Sequence, residues 1–228
     1  METPKIVLGY HGIPTAPYTI FRSLDSSPLS TDTTPAQSAI SAPLHSKALA
    51  QFPLFVKPTA EGSSKGISKA NKITSAPDLE PVVQSLRARF PEQEILIEKF
   101  LSGNEMTISI LGTGSEAHVF GAREAKYGGH VRDTDEDFQS FERKMTGPDL
   151  WADHSDTAID LSEPLTAKAC AMALAAYKVL GFHDIARVDT RFDRQGPGGQ
   201  PFVMEVCIPA PPLEQGPVVP NPLDLMPC

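Results

Sequence analysis

The stretch EILIEKFLSGNEMTISILG, residues 94 to 112, decides the fold. Its first part is a short, nearly unbroken apolar run. Its second part alternates, with Met106, Ile108 and Ile110 separated by Thr107 and Ser109, the pattern of a strand with one buried face. Only LSGN lies between them, so 94 to 100 and 105 to 112 are expected to form an antiparallel pair. AHVFGARE (117 to 124) reads as a third strand and LFVK (54 to 57) as a buried one. LEPVVQSLRARF (79 to 90) reads as a short amphipathic helix, with Pro81 in its first turn. Ser162 is expected to cap an alanine-rich helix over 163 to 180, and Gly181 to end it. IARVDTRF (185 to 192) and PFVMEVC (201 to 207) read as a hairpin. Strands and helices in this order imply an α+β domain with a largely antiparallel sheet.

The 228 residues suffice for one large domain or two small ones, and a 40% hydrophobic content suffices for a core. A net charge of −8 argues against nucleic acid and anionic membranes as partners, though not against a local basic cluster for phosphates. Three cysteines, Cys170, Cys207 and Cys228, are too few and too widely spaced for a disulfide framework or a zinc site. With no apolar leader and no apolar run of about 18 residues, a cytoplasmic location is expected. The 22 prolines gather in two places. Residues 24–46 read as a mobile Ser/Thr/Pro-rich loop after a lead-in segment, 1–23. Residues 209–228 form a Pro-rich tail that sustains neither helix nor central strand. The polar stretch 128–160, with DTDED at 133–137, reads as a solvated loop.

Three places carry chemistry. After the strand ending in Lys57, the loop GSSKG offers backbone N–H groups and two hydroxyls to a phosphate, although its spacing is not that of a P-loop. A flexible surface turn is the alternative. Lys57 either snorkels to solvent or aims a point charge into a cleft, and Lys126 poses the same choice. Arg187 and Asp189, two residues apart, point to one face of a strand, and Glu205 on the adjacent strand can join them. Two carboxylates converging from paired strands suit a hard divalent cation such as Mg²⁺. A cross-strand ion pair between Arg187 and Glu205 is the alternative.

VKPTAEGSSKGIS, LIEKFLSGNEMTISILG, EAKY and ARVDTRFD…PFVMEV, in this order, resemble the ATP-grasp ligases, most of all the D-alanine–D-alanine ligases. GIPTAPYTIF (12 to 21) resembles the family's lead into its central domain. The resemblance implies an ATP-grasp fold over 47–208, with a first lobe over about 52–98 and a second over about 99–208. It implies ATP and Mg²⁺ as cofactors and amino acids as substrates. Lys57 and Lys126 would contact ATP phosphates, and Gly62, Ser63 and Ser64 would form a lid over the terminal phosphate. Glu98, Lys99, Phe100 and Leu101 would hold adenine, and Glu105 the ribose. Asp189 and Glu205 would ligate Mg²⁺, and Arg187 would stabilise the reacting carboxyl-phosphate. The family's chemistry is activation of a carboxylate as an acyl phosphate, followed by attack of an amine to give an amide.

The chain departs from the family in three ways. Only about ten residues precede GIPTAPY, so the family's N-terminal substrate domain is expected to be absent. Cys207 stands where the family has a metal-ligating Asn, and a thiol is a poor Mg²⁺ ligand. Pro211 and Pro212 stand near the family's oxyanion-binding glycine, without an N–H to donate, and no matching serine follows. A non-catalytic ATP-binding protein and a ligase for other amino acids are therefore the rival readings. The proline-rich end suggests a truncated product, an alternatively spliced one, or a gene model with errors.

Overall fold

The computed structural model describes residues 2–22, 47–125, 138, 140–142 and 157–208. The Ser/Thr/Pro-rich loop, the DTDED run, Lys126 and the Pro-rich tail with Pro211 and Pro212 lie outside the described residues. No helix among the described residues is long and apolar enough to cross a membrane.

Two antiparallel sheets make the frame. The first contains β1 (Tyr18–Phe21), β2 (Leu54–Pro58), β3 (Lys72–Ile73) and β4 (Ile95–Lys99), in the order β1-β4-β2-β3. One of its faces carries Leu54, Val56, Ile95 and Ile97 into a core with Leu79, Val83 and Leu86 of helix α2 (Ala76–Arg89). The second sheet contains β5 (Glu105–Leu111), β6 (His118–Ala125), β7 (Thr157–Ala158), β8 (Ile185–Phe192) and β9 (Pro201–Cys207), in the order β7-β6-β5-β8-β9. Helix α3 (Pro164–Val179) lies on it with Ala169, Cys170, Ala173, Ala176 and Tyr177 buried. These recur every three or four residues, and the small alanines let the helix backbone approach the sheet closely. The fold is thus α+β with antiparallel pairing in both sheets.

The expected pairing of 94–100 with 105–112 does not occur. Both edges of β4 are taken, by β1 and by β2, and β5 pairs with β6 and β8. The LSGN connector passes from one sheet to the other. Gly103 makes the crossing possible: a Cβ there would lie 2.5 Å from the Arg194 carbonyl oxygen and 2.6 Å from Phe192 Cβ. Its N–H donates to the Phe192 carbonyl at 2.9 Å, which ties the crossing to the end of β8.

Helix boundaries also differ from expectation. α2 begins at Ala76, so Pro81 sits inside the helix with its ring on the exposed side. Glu163, not Ser162, caps α3: its carboxylate accepts from the Thr166 N–H at 2.9 Å. Ser162 is held by Asp160 instead, which accepts from both its N–H and its hydroxyl. Gly181 follows α3 at φ +72°, as a helix-ending glycine does.

A further helix, α1 (Glu2–Tyr10), precedes β1 and packs against α3, with Leu8 in the core of the second sheet. The backbone that follows it touches both sheets. Val203 donates to the Pro14 carbonyl at 2.9 Å, and Lys99 donates to the Pro17 carbonyl at 2.8 Å.

Candidate functional site

Strand periodicity sorts side chains to the face of the first sheet opposite its core. With Leu54 and Val56 of β2 and Ile95 and Ile97 of β4 committed to α2, Phe55, Lys57, Leu96 and Glu98 turn the other way. There Lys57 Nζ lies 2.7 Å from Glu98 Oε1. A second lysine, Lys5 of α1, lies 2.9 Å from Glu98 Oε2. All three are buried, Glu98 to 1% exposure. Burial by itself would raise the Glu98 carboxyl, but the ammonium groups of Lys57 and Lys5 together bring it down to about 2. The sequence reading missed Lys5, because a lone lysine in METPKIVLGY carries no signal that separates it from a surface residue.

The strand end after Glu98 meets the other predicted residues. Lys99 Nζ donates to the Gln51 carbonyl at 2.8 Å, and burial lowers its pKa. Phe100 packs with Phe55 and Phe138, and its N–H donates to Pro53. Leu101 is buried. The N–H groups of Lys99 and Phe100 are thus engaged with Pro17 and Pro53.

The serine loop has a defined shape. Ser63 and Ser64 take φ of +54° and +57°, a left-handed conformation that costs non-glycine residues of order 1 kcal/mol each. Gly66, at φ +79°, packs so tightly that a Cβ would lie 2.8 Å from both the Phe90 ring and Pro58. Asn71, 1% exposed, fastens the loop to β2: its amide donates to the carbonyls of Val56 at 2.6 Å and Gly66 at 2.8 Å. The sequence reading did not find this clamp.

On the second sheet, the hairpin registers Asp189 directly opposite Glu205 and Arg187 opposite Cys207. The oxygens of Asp189 and Glu205 and the sulfur of Cys207 lie within 4.8 Å of one another. Thr107 of β5, opposite Asp189, donates its hydroxyl to Asp189 Oδ1 at 2.9 Å. Arg187 bonds the other oxygen, Oδ2, at 2.8 Å. Burial alone would lower the Arg187 pKa, but Asp189, with Glu205 and Glu105 beyond it, raises it. Glu105 is ion-paired with Arg191 at 3.2 Å, and the Arg191 guanidinium lies 5.0 Å from the Phe100 ring centroid. Thr107 is the residue that strand alternation could have revealed, since it shares a face with Glu105 and Ser109. Cys207 is disulfide-bonded. A disulfide sulfur has no thiolate to offer a metal ion.

Lys5 of α1, Glu61 and Gly62 of the loop that follows β2, and Met204 and Glu205 of β9 border one cleft of about 440 Å³. That volume falls within the range of small-molecule sites. The family model described as D-ala D-ala ligase C-terminus matches residues 7–210.

The chain belongs to this ligase family.

A D-alanine–D-alanine ligase of Bordetella petrii is 30% identical over 155 residues, covering 68% of this chain and 42% of that protein. One of Paramagnetospirillum magneticum is 31% identical over 159 residues, covering 65% and 42%. Among solved structures, the Bacillus anthracis ligase matches at a TM-score of 0.61 and 23% identity, over 90% of this chain and 55% of that one. The same enzyme complexed with ATP matches at 0.56 and 22%, over 90% and 53%. These structures show the fold: an α+β fold of the ATP-grasp kind, with antiparallel sheets. The chain spans about two fifths of the length of these curated relatives and about half of these solved ones.

Proposed function

We propose that this chain binds ATP and Mg²⁺ in the cleft between its sheets and acts as a carboxylate–amine ligase of the D-alanine–D-alanine type. The observation that carries the reading is that the serine loop and the paired carboxylates share one cleft. The loop residue Gly62 borders the same cleft as Glu205, whose registered partner is Asp189. Backbone N–H groups of such a loop suit phosphates, and the carboxylates suit a hard cation.

The residues take the following roles. Lys57 contacts phosphate oxygens, and Gly62, Ser63 and Ser64 cover the terminal phosphate; Lys126 would add a second cation. Glu98 accepts from the adenine amino group, while Lys99, Phe100 and Leu101 line the base. The N–H groups of Lys99 and Phe100 are occupied, so main-chain donation to the base falls to Leu101. Glu105 accepts from the ribose. Asp189 and Glu205 fit Mg²⁺, being two hard oxygen donors on neighbouring strands, and Thr107 orients the first of them. Bound Mg·ATP would supply the phosphoryl group that activates a carboxylate. Arg187 neutralises charge on that carboxyl-phosphate, and the serine loop keeps water from it.

Titration calorimetry with ATP, with and without Mg²⁺, tests the binding half. The expected result is saturable binding that Mg²⁺ strengthens; absence of binding under both conditions refutes it. Phosphate release across a panel of D- and L-amino acids tests turnover and names the substrate. The disulfide-bonded Cys207 favours a second reading, an ATP-binding protein without catalysis. Binding with no amino-acid-dependent phosphate release selects that reading.

A further inference from the structure

Glu98 is enclosed by two cations, Lys57 on Oε1 and Lys5 on Oε2. The nucleotide reading gives a second task to only one of them. When Lys57 engages the phosphates of ATP, its ammonium must be shared with a new anion. Glu98 is then a carboxylate at 1% exposure losing part of its neutralising charge, among the costliest groups to leave in a protein interior.

Lys5 answers that problem. It comes from α1, outside both sheets, and is itself 5% exposed. Its Nζ also donates to the Ala16 carbonyl at 3.4 Å and lies 5.0 Å from the Tyr18 ring centroid. These contacts hold its charge against Glu98 whatever Lys57 does. We infer that Lys5 is a positioning residue for the nucleotide site, a standing counter-ion that keeps Glu98 neutralised and so releases Lys57 to the phosphates. This role rests on the ATP-binding reading of the cleft.

Titration of the full chain with Mg·ATP and with adenosine separates the possibilities. Adenosine has no phosphates and leaves the Lys57–Glu98 pair intact. In Lys5→Met the Kd for ATP should rise about tenfold or more, while that for adenosine changes less than about threefold. Lys5→Arg should recover most of the ATP affinity. Equal losses for the two ligands, or no loss for either, overturn the role. In a Glu98→Gln background no buried anion needs a counter-ion, so Lys5→Met should cost no further ATP affinity; a persisting loss overturns the role. If Lys5→Met alone does not melt cooperatively, the double variant decides. Folding and ATP binding like those of Glu98→Gln support the counter-ion, and a double variant that stays unfolded overturns it. A wild-type chain that binds neither ligand is a separate result: it removes the nucleotide reading, and the role of Lys5 with it.

Discussion

Replacing Glu98 with Gln should leave a stability deficit that depends on pH. The folded carboxyl titrates at about 2, against an ordinary value of 4.5. At about 1.4 kcal/mol per unit, that difference of about 2.5 units corresponds to roughly 3 kcal/mol of stability held by the ionised group. The sign follows from the direction of the shift. Below about pH 4.5 the unfolded chain takes up a proton that the folded one still refuses, so this stability drains as pH falls and is gone below about pH 2. Glutamine imitates the protonated acid in shape and charge. Glu98→Gln should therefore be about 3 kcal/mol less stable than wild type at neutral pH, a loss that a domain stable by about 5–15 kcal/mol survives. The gap should narrow below about pH 4.5, to under about 1 kcal/mol at pH 2.5. Urea unfolding of both proteins at a series of pH values measures it, and the other carboxylates cancel in the difference. A gap that stays constant with pH, or no gap at neutrality, refutes the picture of a carboxylate clamped between Lys5 and Lys57.

Gly66→Ala should destabilise the fold by about 2 kcal/mol or more in urea unfolding, since its Cβ would press on Phe90 and Pro58 at φ +79°. Lys57→Met should weaken ATP binding by about 1.5–3 kcal/mol, the worth of a charge-assisted contact, in the calorimeter. Asp189→Asn should abolish the Mg²⁺ dependence of ATP affinity while the chain still folds, as circular dichroism would show; a retained Mg²⁺ dependence would remove Asp189 from the cation site.

Much of this architecture is written in short-range pattern. The β8–β9 hairpin emerges with the boundaries that alternation implies, and that places Asp189 beside Glu205. β2, β4, β5 and β6 likewise follow from apolar runs and period-two alternation. Partner choice does not follow from them. A four-residue connector holding a glycine looks like a hairpin turn, yet LSGN carries the chain between sheets, because strands from far along the sequence occupy both edges of β4. Long-range competition of this kind leaves no trace in a local window. The same holds for the site. Arg187, Asp189 and Glu205 are legible as one face, whereas Lys5 and Asn71 act on strands distant in sequence, where only the folded chain brings them.

The strip of backbone after α1 has a mechanical consequence. Pro14 is fastened to β9 and Pro17 to β4, and the three peptide steps between these anchors span at most about 11 Å. So short a leash keeps the two halves from sliding past each other. The strip thus tethers β9 to β4 beside the cleft that Thr15 borders.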